Sequence, residues 1–224
     1  MREAFDAIAP QYDLVSSVMT LGMGNRWRRA AAEAADVSAC SHVLDVFTGT
    51  GDVALMLTDR VASEGEVIGV DFSPAMIERA RIKAAAAGRR CRFEVADALQ
   101  LPFEDGRFDA VTASGGLRGL DDPAAAVREM VRVAAPGARI VVLEITPPHH
   151  LRGLHEKVLA FAMPTVGGLL GGDPDAFGEL GRSIAHVPPA VEVAAMMSAC
   201  GVSDIRWREF SGGVATLHRG RVAA

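Results

Sequence analysis

Residues suited to gripping a small polar ligand recur along the first half of the chain, each just after a short apolar run. The first run, His42 to Val46, carries Asp45 near its end and turns through Phe47-Thr48-Gly49-Thr50-Gly51-Asp52. Gly49 and Gly51 let backbone approach a ligand that any Cβ would hold off, and the helix expected next offers unpaired N–H groups at its start. About twenty residues on, a second apolar run, Glu66 to Val70, ends in Asp71, where a carboxylate can accept both hydroxyls of a ribose. Asp97 follows the third run and Ser114 the fourth. Together these positions point to a bound adenosine moiety. Taken alone, a carboxylate after a strand is a helix cap, here Asp71 with Ser73. The chain has neither the GxGxxG dinucleotide fingerprint nor the GK[ST] phosphate loop, which argues against a nicotinamide dehydrogenase.

The elements that would hold these residues follow from the hydrophobic pattern. Strands are expected at His42 to Val46, Val67 to Val70, Arg92 to Ala96, Ala110 to Ala113 and Arg139 to Ile145. Helices are expected near Val53 to Val61, from Pro74 to Ala87 and from Pro123 to Val133, the last stopped by Pro136-Gly137. Such alternation means a doubly wound α/β domain with helices on both faces of a mostly parallel sheet, and ligands bind at the carboxyl ends of its strands. An N-terminal helical cap, residues 1–40 with a break near Leu21 to Gly24, precedes the core at 41–146. Residues 147–188, rich in Gly, Met and Pro, lose the alternation and form a lid or substrate-shaping insertion. In 189–224, a helix from Ala190 to Cys200 precedes the strand-like runs Asp204 to Phe210 and Val214 to His218. Ser211-Gly212-Gly213 joins these as an antiparallel hairpin.

Composition narrows the function. A chain of 224 residues suits one such domain, and a net charge of -5 argues against nucleic acid as a partner. The basic cluster Arg26, Arg28, Arg29 beside Trp27 is either a solvated helix face or a patch for an anion or a membrane surface. Cys40, Cys91 and Cys200 stand far apart, without zinc or disulfide spacing, and fit a reducing cytoplasm. The N-terminal MREAFDAIAPQYD lacks the apolar core of a secretory signal. The longest apolar stretch, Val158 to Leu170, is interrupted by Pro164, Gly167 and Gly168 and reads as a flexible segment too short to span a bilayer. Peripheral membrane contact and a homodimer stay open.

Several segments, in order and spacing, resemble the class I S-adenosylmethionine (SAM)-dependent methyltransferases, and among them the C-methyltransferases of ubiquinone and menaquinone biosynthesis. They are FDAIAPQYD (Phe5 to Asp13), LDVFTGTGD (Leu44 to Asp52), GVDFSPAMIERA (Gly69 to Ala80), LPFEDGRFDAV (Leu101 to Val111), GLR (Gly116 to Arg118), REMVRVAAPGARIVVLE (Arg128 to Glu144) and SGGVATLHRG (Ser211 to Gly220). The resemblance covers nearly the whole chain and implies a Rossmann-like, seven-stranded sheet with SAM as cofactor and S-adenosylhomocysteine as product. It implies that Thr50, Asp71 with Phe72, Asp97 with Ala98, and Ser114 line the cofactor pocket, the turn from Asp45 through Gly49 to Gly51 lying by the methionyl half. Asp97 can accept from the adenine amino group.

Methylation at an aromatic carbon needs an adjacent hydroxyl that is deprotonated or strongly polarised, hence a base or a cation near the transferred methyl. Arg118 of GLR is the candidate cation, stabilising a developing phenolate; the plain alternative is an ion pair with Asp121 or Asp122. His186 is a candidate general base, or an ordinary histidine. The N-terminal motif FDAIAPQYD could fold over the cofactor as a lid, with its Tyr12 touching substrate or packing on the core. His149, His150 and His155 lack metal-ligand spacing, so no metal is expected. Met19, Met23, Met163, Met196 and Met197 pad an isoprenoid groove or plain core.

The departures from the family pattern cluster where the acceptor is expected. Gly119 and Ser16 replace asparagines, Phe177 replaces a tyrosine, and Phe47 stands where a small residue is usual, either narrowing the cleft or turning into the core. The expectation is a methyltransferase acting on a carbon of an aromatic, quinone-like or prenylated small molecule, a specialised metabolite among the options. An O- or N-methyltransferase, or a SAM-retaining enzyme of other chemistry, is the alternative.

Overall fold

Strands buried on both faces set the centre of the fold. In β1 (His42–Val46) every residue after the first is buried, and β2 (Glu66–Asp71) is buried from Val67 onward. Near-continuous apolar runs of this kind mark a parallel sheet with both faces covered. The computed structural model describes residues 2–146, 152–185 and 187–223. β3 (Arg92–Val95), β4 (Phe108–Ser114), β5 (Ala134–Ile145), β6 (Val202–Phe210) and β7 (Ala215–Val222) complete a seven-stranded sheet of order β3-β2-β1-β4-β5-β7-β6. β1 to β5 run parallel, and β7 is antiparallel to both β5 and β6. This is the doubly wound sheet with a closing C-terminal hairpin that the sequence predicts.

Alternation along β1 sends Val43 and Leu44 to opposite faces. Leu44 belongs to a core with α6 (Pro123–Val133) and α9 (Ala190–Ala199), through Val127, Met130, Val193 and Met197. Val43 belongs to one with α3 (Gly24–Ala34), α4 (Asp52–Leu57) and α5 (Pro74–Ala86), through Trp27, Ala54 and Ile77. Both long core helices open on a cap and a proline. The Ser73 hydroxyl accepts from Met76 N at 3.1 Å and the Asp122 carboxylate from Ala125 N at 3.0 Å. Pro74 and Pro123 sit in the first turn, where no N–H is needed.

Three local expectations change. The N-terminal cap breaks twice, giving α1 (Arg2–Ile8) and α2 (Tyr12–Met19) on either side of Pro10 before the turn that leads to α3. Pro136-Gly137 does not precede β5 but lies within it: pairing runs from Phe108 with Ala134 to Ala110 with Arg139, and the irregularity between them takes up three extra residues of β5, Pro136 and Gly137 falling in that stretch. The stretch read as flexible is helical, with Pro164 inside α7 (Arg152–Leu169), followed by α8 (Pro174–Ala185). Its glycines mark helix contact rather than breaks, because a Cβ at Gly167 would collide with the Phe177 ring of α8. Leu159, Met163, Phe177 and Ile184 join Ile8, Val15 and Met76 in a third core that seats α1, α2, α7 and α8 above the strand ends. Among the described residues no helix is long and apolar enough to cross a membrane.

Candidate functional site

The order of strand addition reverses between β1 and β4, and the carboxyl ends of the central strands there open on a cavity of about 540 Å³. A doubly wound sheet binds ligands at this switch point. Gly49, Asp71, Phe72, Asp97, Ala98 and Ser114 line the cavity from the sheet; Phe5 and Tyr12 line it from the N-terminal cap, Arg118 from the turn after β4 and Ser183 from α8.

The loop after β1 is built on two buried carboxylates. Asp45 lies beneath it, 1% exposed, accepting hydrogen bonds from the Thr48 hydroxyl at 2.7 Å and the Thr112 hydroxyl at 2.6 Å. Burial pushes its carboxyl up to about 6. Asp71 ties the loop to β2, accepting from Gly49 N at 2.9 Å and Ser73 N at 3.0 Å. Burial raises its pKa too, against these N–H bonds. A carboxylate offers about four acceptor sites, so Asp71 can take ribose hydroxyls while still holding the loop. Gly49 has φ +53, and a Cβ there would meet nothing within 4 Å, so the backbone stands open to a ligand. Gly51 serves packing instead, since a Cβ on it would lie 2.9 Å from the Phe93 ring and 3.0 Å from Ala80 Cβ.

Thr50 faces a second, smaller chamber of about 60 Å³ that also meets Tyr12, Phe47, Gly49, Ser114 and Arg118. Its hydroxyl donates to Asp13 of α2 and accepts from Lys83 Nζ at 3.1 Å. Lys83 bridges Asp13 at 2.9 Å and Asp52 at 2.5 Å. Arg28 pairs with Asp52 at 3.5 Å and donates to Ser16 Oγ at 2.9 Å, so this member of the basic cluster faces inward. Asp6 of α1 accepts from Ser73 Oγ at 2.5 Å and Ala75 N at 3.3 Å. The two acids of FDAIAPQYD thus strap the cap onto α5 and the glycine loop. Phe5 meets Phe72 edge to face, with ring centroids 5.6 Å apart.

Arg118 lies in a turn of 3₁₀ helix, Leu117–Gly119, with its side chain 4% exposed. Its partner is Glu144 at 3.2 Å, not Asp121 or Asp122; Asp122 caps α6 and pairs with Arg128. Arg118 also donates from Nη1 to the Gly115 carbonyl and from Nε to Ser183 Oγ at 3.2 Å, leaving the Nη2 donors outside these bonds. Glu144 accepts from Leu117 N at 2.9 Å, and burial raises its pKa while Arg118 opposes the rise. The sequence reading assigned Glu144 no role, although an acid closing the run Ile140-Val141-Val142-Leu143 needs a buried partner. Ser183, which joins α8 to Arg118, was likewise unmarked.

One expected substrate contact is corrected. Phe177 of α8 is fully buried in the third core, against Gly167 and Gly172, and does not line the cavity. His186, His149 and His150 lie outside the described residues, as does the side chain of His155. The described residues contain no cluster of three or more side chains suited to a metal ion.

The arrangement fits an adenosine-bearing cofactor: a cavity of suitable size, an open glycine, and a buried carboxylate with spare acceptor sites at the end of β2. The sequence model of the ubiE/COQ5 methyltransferase family matches residues 1–222. A demethylmenaquinone methyltransferase of Thermus thermophilus is 45% identical over 218 residues, 96% of this chain and 98% of that protein. A ubiquinone/menaquinone biosynthesis C-methyltransferase UbiE of a Geobacter species is 36% identical, over 98% of this chain and 95% of its own length. Among solved structures, a SAM-dependent methyltransferase of Thermotoga maritima superposes with TM-score 0.71 at 18% identity, covering 99% of each chain. The [4+2]-cyclase SpnF does so with TM-score 0.68 at 19% identity, covering 89% of this chain and 81% of that one. These two likenesses speak to the fold alone.

Proposed function

The chain belongs to the ubiE/COQ5 methyltransferase family, and on that premise we propose that it methylates a ring carbon of a hydroquinone-type acceptor, a demethylated naphthoquinol of the kind named for its relatives. SAM, when bound, supplies a methyl group whose leaving group is already activated by positive charge. Asp71 would hold the ribose hydroxyls, Asp97 and Ala98 the adenine, Phe72 its flank, and the turn at Gly49 and Thr50, carried on Asp45 and Gly51, the methionyl end beside Ser114. Apart from positioning, the protein has one electrostatic task, stabilising the negative charge on the acceptor oxygen as the neighbouring carbon becomes nucleophilic.

Arg118 suits that task and carries the reading: a guanidinium fixed by Glu144, Gly115 and Ser183 at the wall of the same cavity as Asp71 and Asp97. It has no lone pair to act as a base, so the hydroxyl proton leaves to water or to His186, whose role rests on the sequence alone. Tyr12 closes the cavity from above. The walls Val46, Phe47, Phe72 and Leu120 are apolar, as a flat lipophilic ring requires.

The test supplies methyl-labelled SAM with demethylmenaquinol and locates the label by NMR. The expected product carries it on a ring carbon, with one S-adenosylhomocysteine and one proton released per turnover. An oxygen-linked methyl would replace this reading with O-methylation. Phe47 and Gly119 at the cavity wall favour a second reading, an aromatic specialised metabolite as acceptor, which gains if demethylmenaquinol is left untouched.

A further inference from the structure

Phe47 follows β1 directly and holds φ +56, a left-handed conformation that a bulky side chain seldom adopts. From there its ring spans the crevice between the β1 and β4 ends and rests on Gly116, where any Cβ would collide with it. The ring lines both the 540 Å³ cavity and the 60 Å³ chamber, whose walls otherwise share Tyr12, Gly49, Ser114, Gly115 and Arg118. Phe47 is therefore, with Tyr12, Ser114 and Arg118, one of the side chains standing between the two spaces, and its ring is the apolar one of the four beside the Arg118 guanidinium. An aromatic face beside a fixed cation favours a flat ring stacked against it, and a ring in that place takes up depth that a thicker acceptor would need.

We propose that Phe47 is a specificity-determining residue: its ring walls the acceptor position beside Arg118 and selects planar aromatic acceptors over those with a puckered, thicker second ring. The proposal rests on the methyltransferase reading above and adds the substrate geometry. Gly116 is its structural counterpart, since only glycine leaves room for the Phe47 ring.

Two acceptors with the same reacting hydroquinone carbon test it: a planar naphthohydroquinone, and its 5,6,7,8-tetrahydro analogue with a puckered second ring. Wild-type protein should prefer the planar one in kcat/KM. In Phe47→Ala that preference should fall by about ten-fold or more, mainly through a higher KM for the planar acceptor and a lower KM for the puckered one. Affinity for S-adenosylhomocysteine by calorimetry should move by less than about three-fold. Phe47→Gly, which suits the left-handed backbone, should behave likewise and guards against a folding defect in the alanine variant. An unchanged preference in the folded variants overturns the proposal. So does a loss of about ten-fold or more in S-adenosylhomocysteine affinity, because Phe47 would then belong to the cofactor bed. If wild-type protein methylates neither acceptor, the functional reading fails on its own. The partition is then read from the ratio of the two acceptor Kd values with S-adenosylhomocysteine bound, which Phe47→Ala must still narrow.

Discussion

Arg118 and Glu144 act as a pair, because each is almost fully enclosed and removing one strands the other's charge. Glu144→Gln keeps an oxygen for Leu117 N but takes away the counter-charge. It should lower folding stability by about 3 kcal/mol in urea titration. Arg118→Lys keeps the charge and loses the planar fork that reaches Gly115, Glu144 and Ser183 together. Turnover should fall by about a hundred-fold while S-adenosylhomocysteine binds almost as in wild type; an equal loss of binding would place Arg118 in the cofactor site instead. At Asp71 the structure sharpens what the sequence implies. Its oxygens hold Gly49 N and Ser73 N, so Asp71→Ala should weaken S-adenosylhomocysteine binding by more than about ten-fold and also cost about 2 kcal/mol of stability from the orphaned N–H groups. Unchanged calorimetric affinity would remove Asp71 from the site. Asp71 is legible in the sequence because position at a strand's end announces it. Glu144 and Phe177 are not, since composition shows neither which buried cation an acid meets nor whether an aromatic residue lines a cavity or fills a core.

At the scale of elements, FDAIAPQYD reads in the sequence as a lid, and the structure supplies its fastenings. Asp6 reaches the start of α5, and Asp13 reaches Thr50 and Lys83. The Lys83 and Asp13 side chains are 26% and 34% exposed, so the pair adds only about 0.5 kcal/mol to global stability. Its position matters more, because it joins the lid to the glycine loop. Asp13→Ala should speed S-adenosylhomocysteine release by several-fold to about ten-fold in stopped-flow measurements, with little change in thermal midpoint. An unaltered release rate would show that α2 does not gate the site. Burial on both faces makes β1, β2 and β4 readable to within two residues, whereas β5 starts five residues before its expected Arg139 because Pro136-Gly137 signals a break and instead sits in a bulge. The 147–188 insertion was not readable in that way, because Gly and Pro carry the breaker signal of a loop even where, as at Gly167 beside Phe177, a small residue is what lets two helices touch.

At the scale of the molecule, buried acids accumulate under and around the strand ends, a consequence of building a polar site on an apolar sheet. Asp45 and Asp71 are both raised by burial, so the folded protein holds protons there that the unfolded chain releases. The sign follows directly: where the folded state binds more protons, stability falls as pH rises. For Asp45 the window runs from its ordinary 3.8 to about 6, with its contribution fully present below and lost above. His218 pulls the other way at the acid end, because burial lowers its pKa and charging it disfavours the folded state as pH drops below its ordinary 6.5. A single pH–stability curve mixes these slopes, whereas a difference between variants separates them. Asp45→Asn keeps an oxygen for one threonine hydroxyl and lets the other rotate to accept from the amide. Relative to wild type, its urea-derived stability should therefore gain on the order of 2–3 kcal/mol between pH 4 and pH 7.5. Parallel curves across that range would mean that Thr48 and Thr112 stabilise the ionised carboxylate enough to offset its burial, and that the loop beneath the cofactor carries a charge at every working pH.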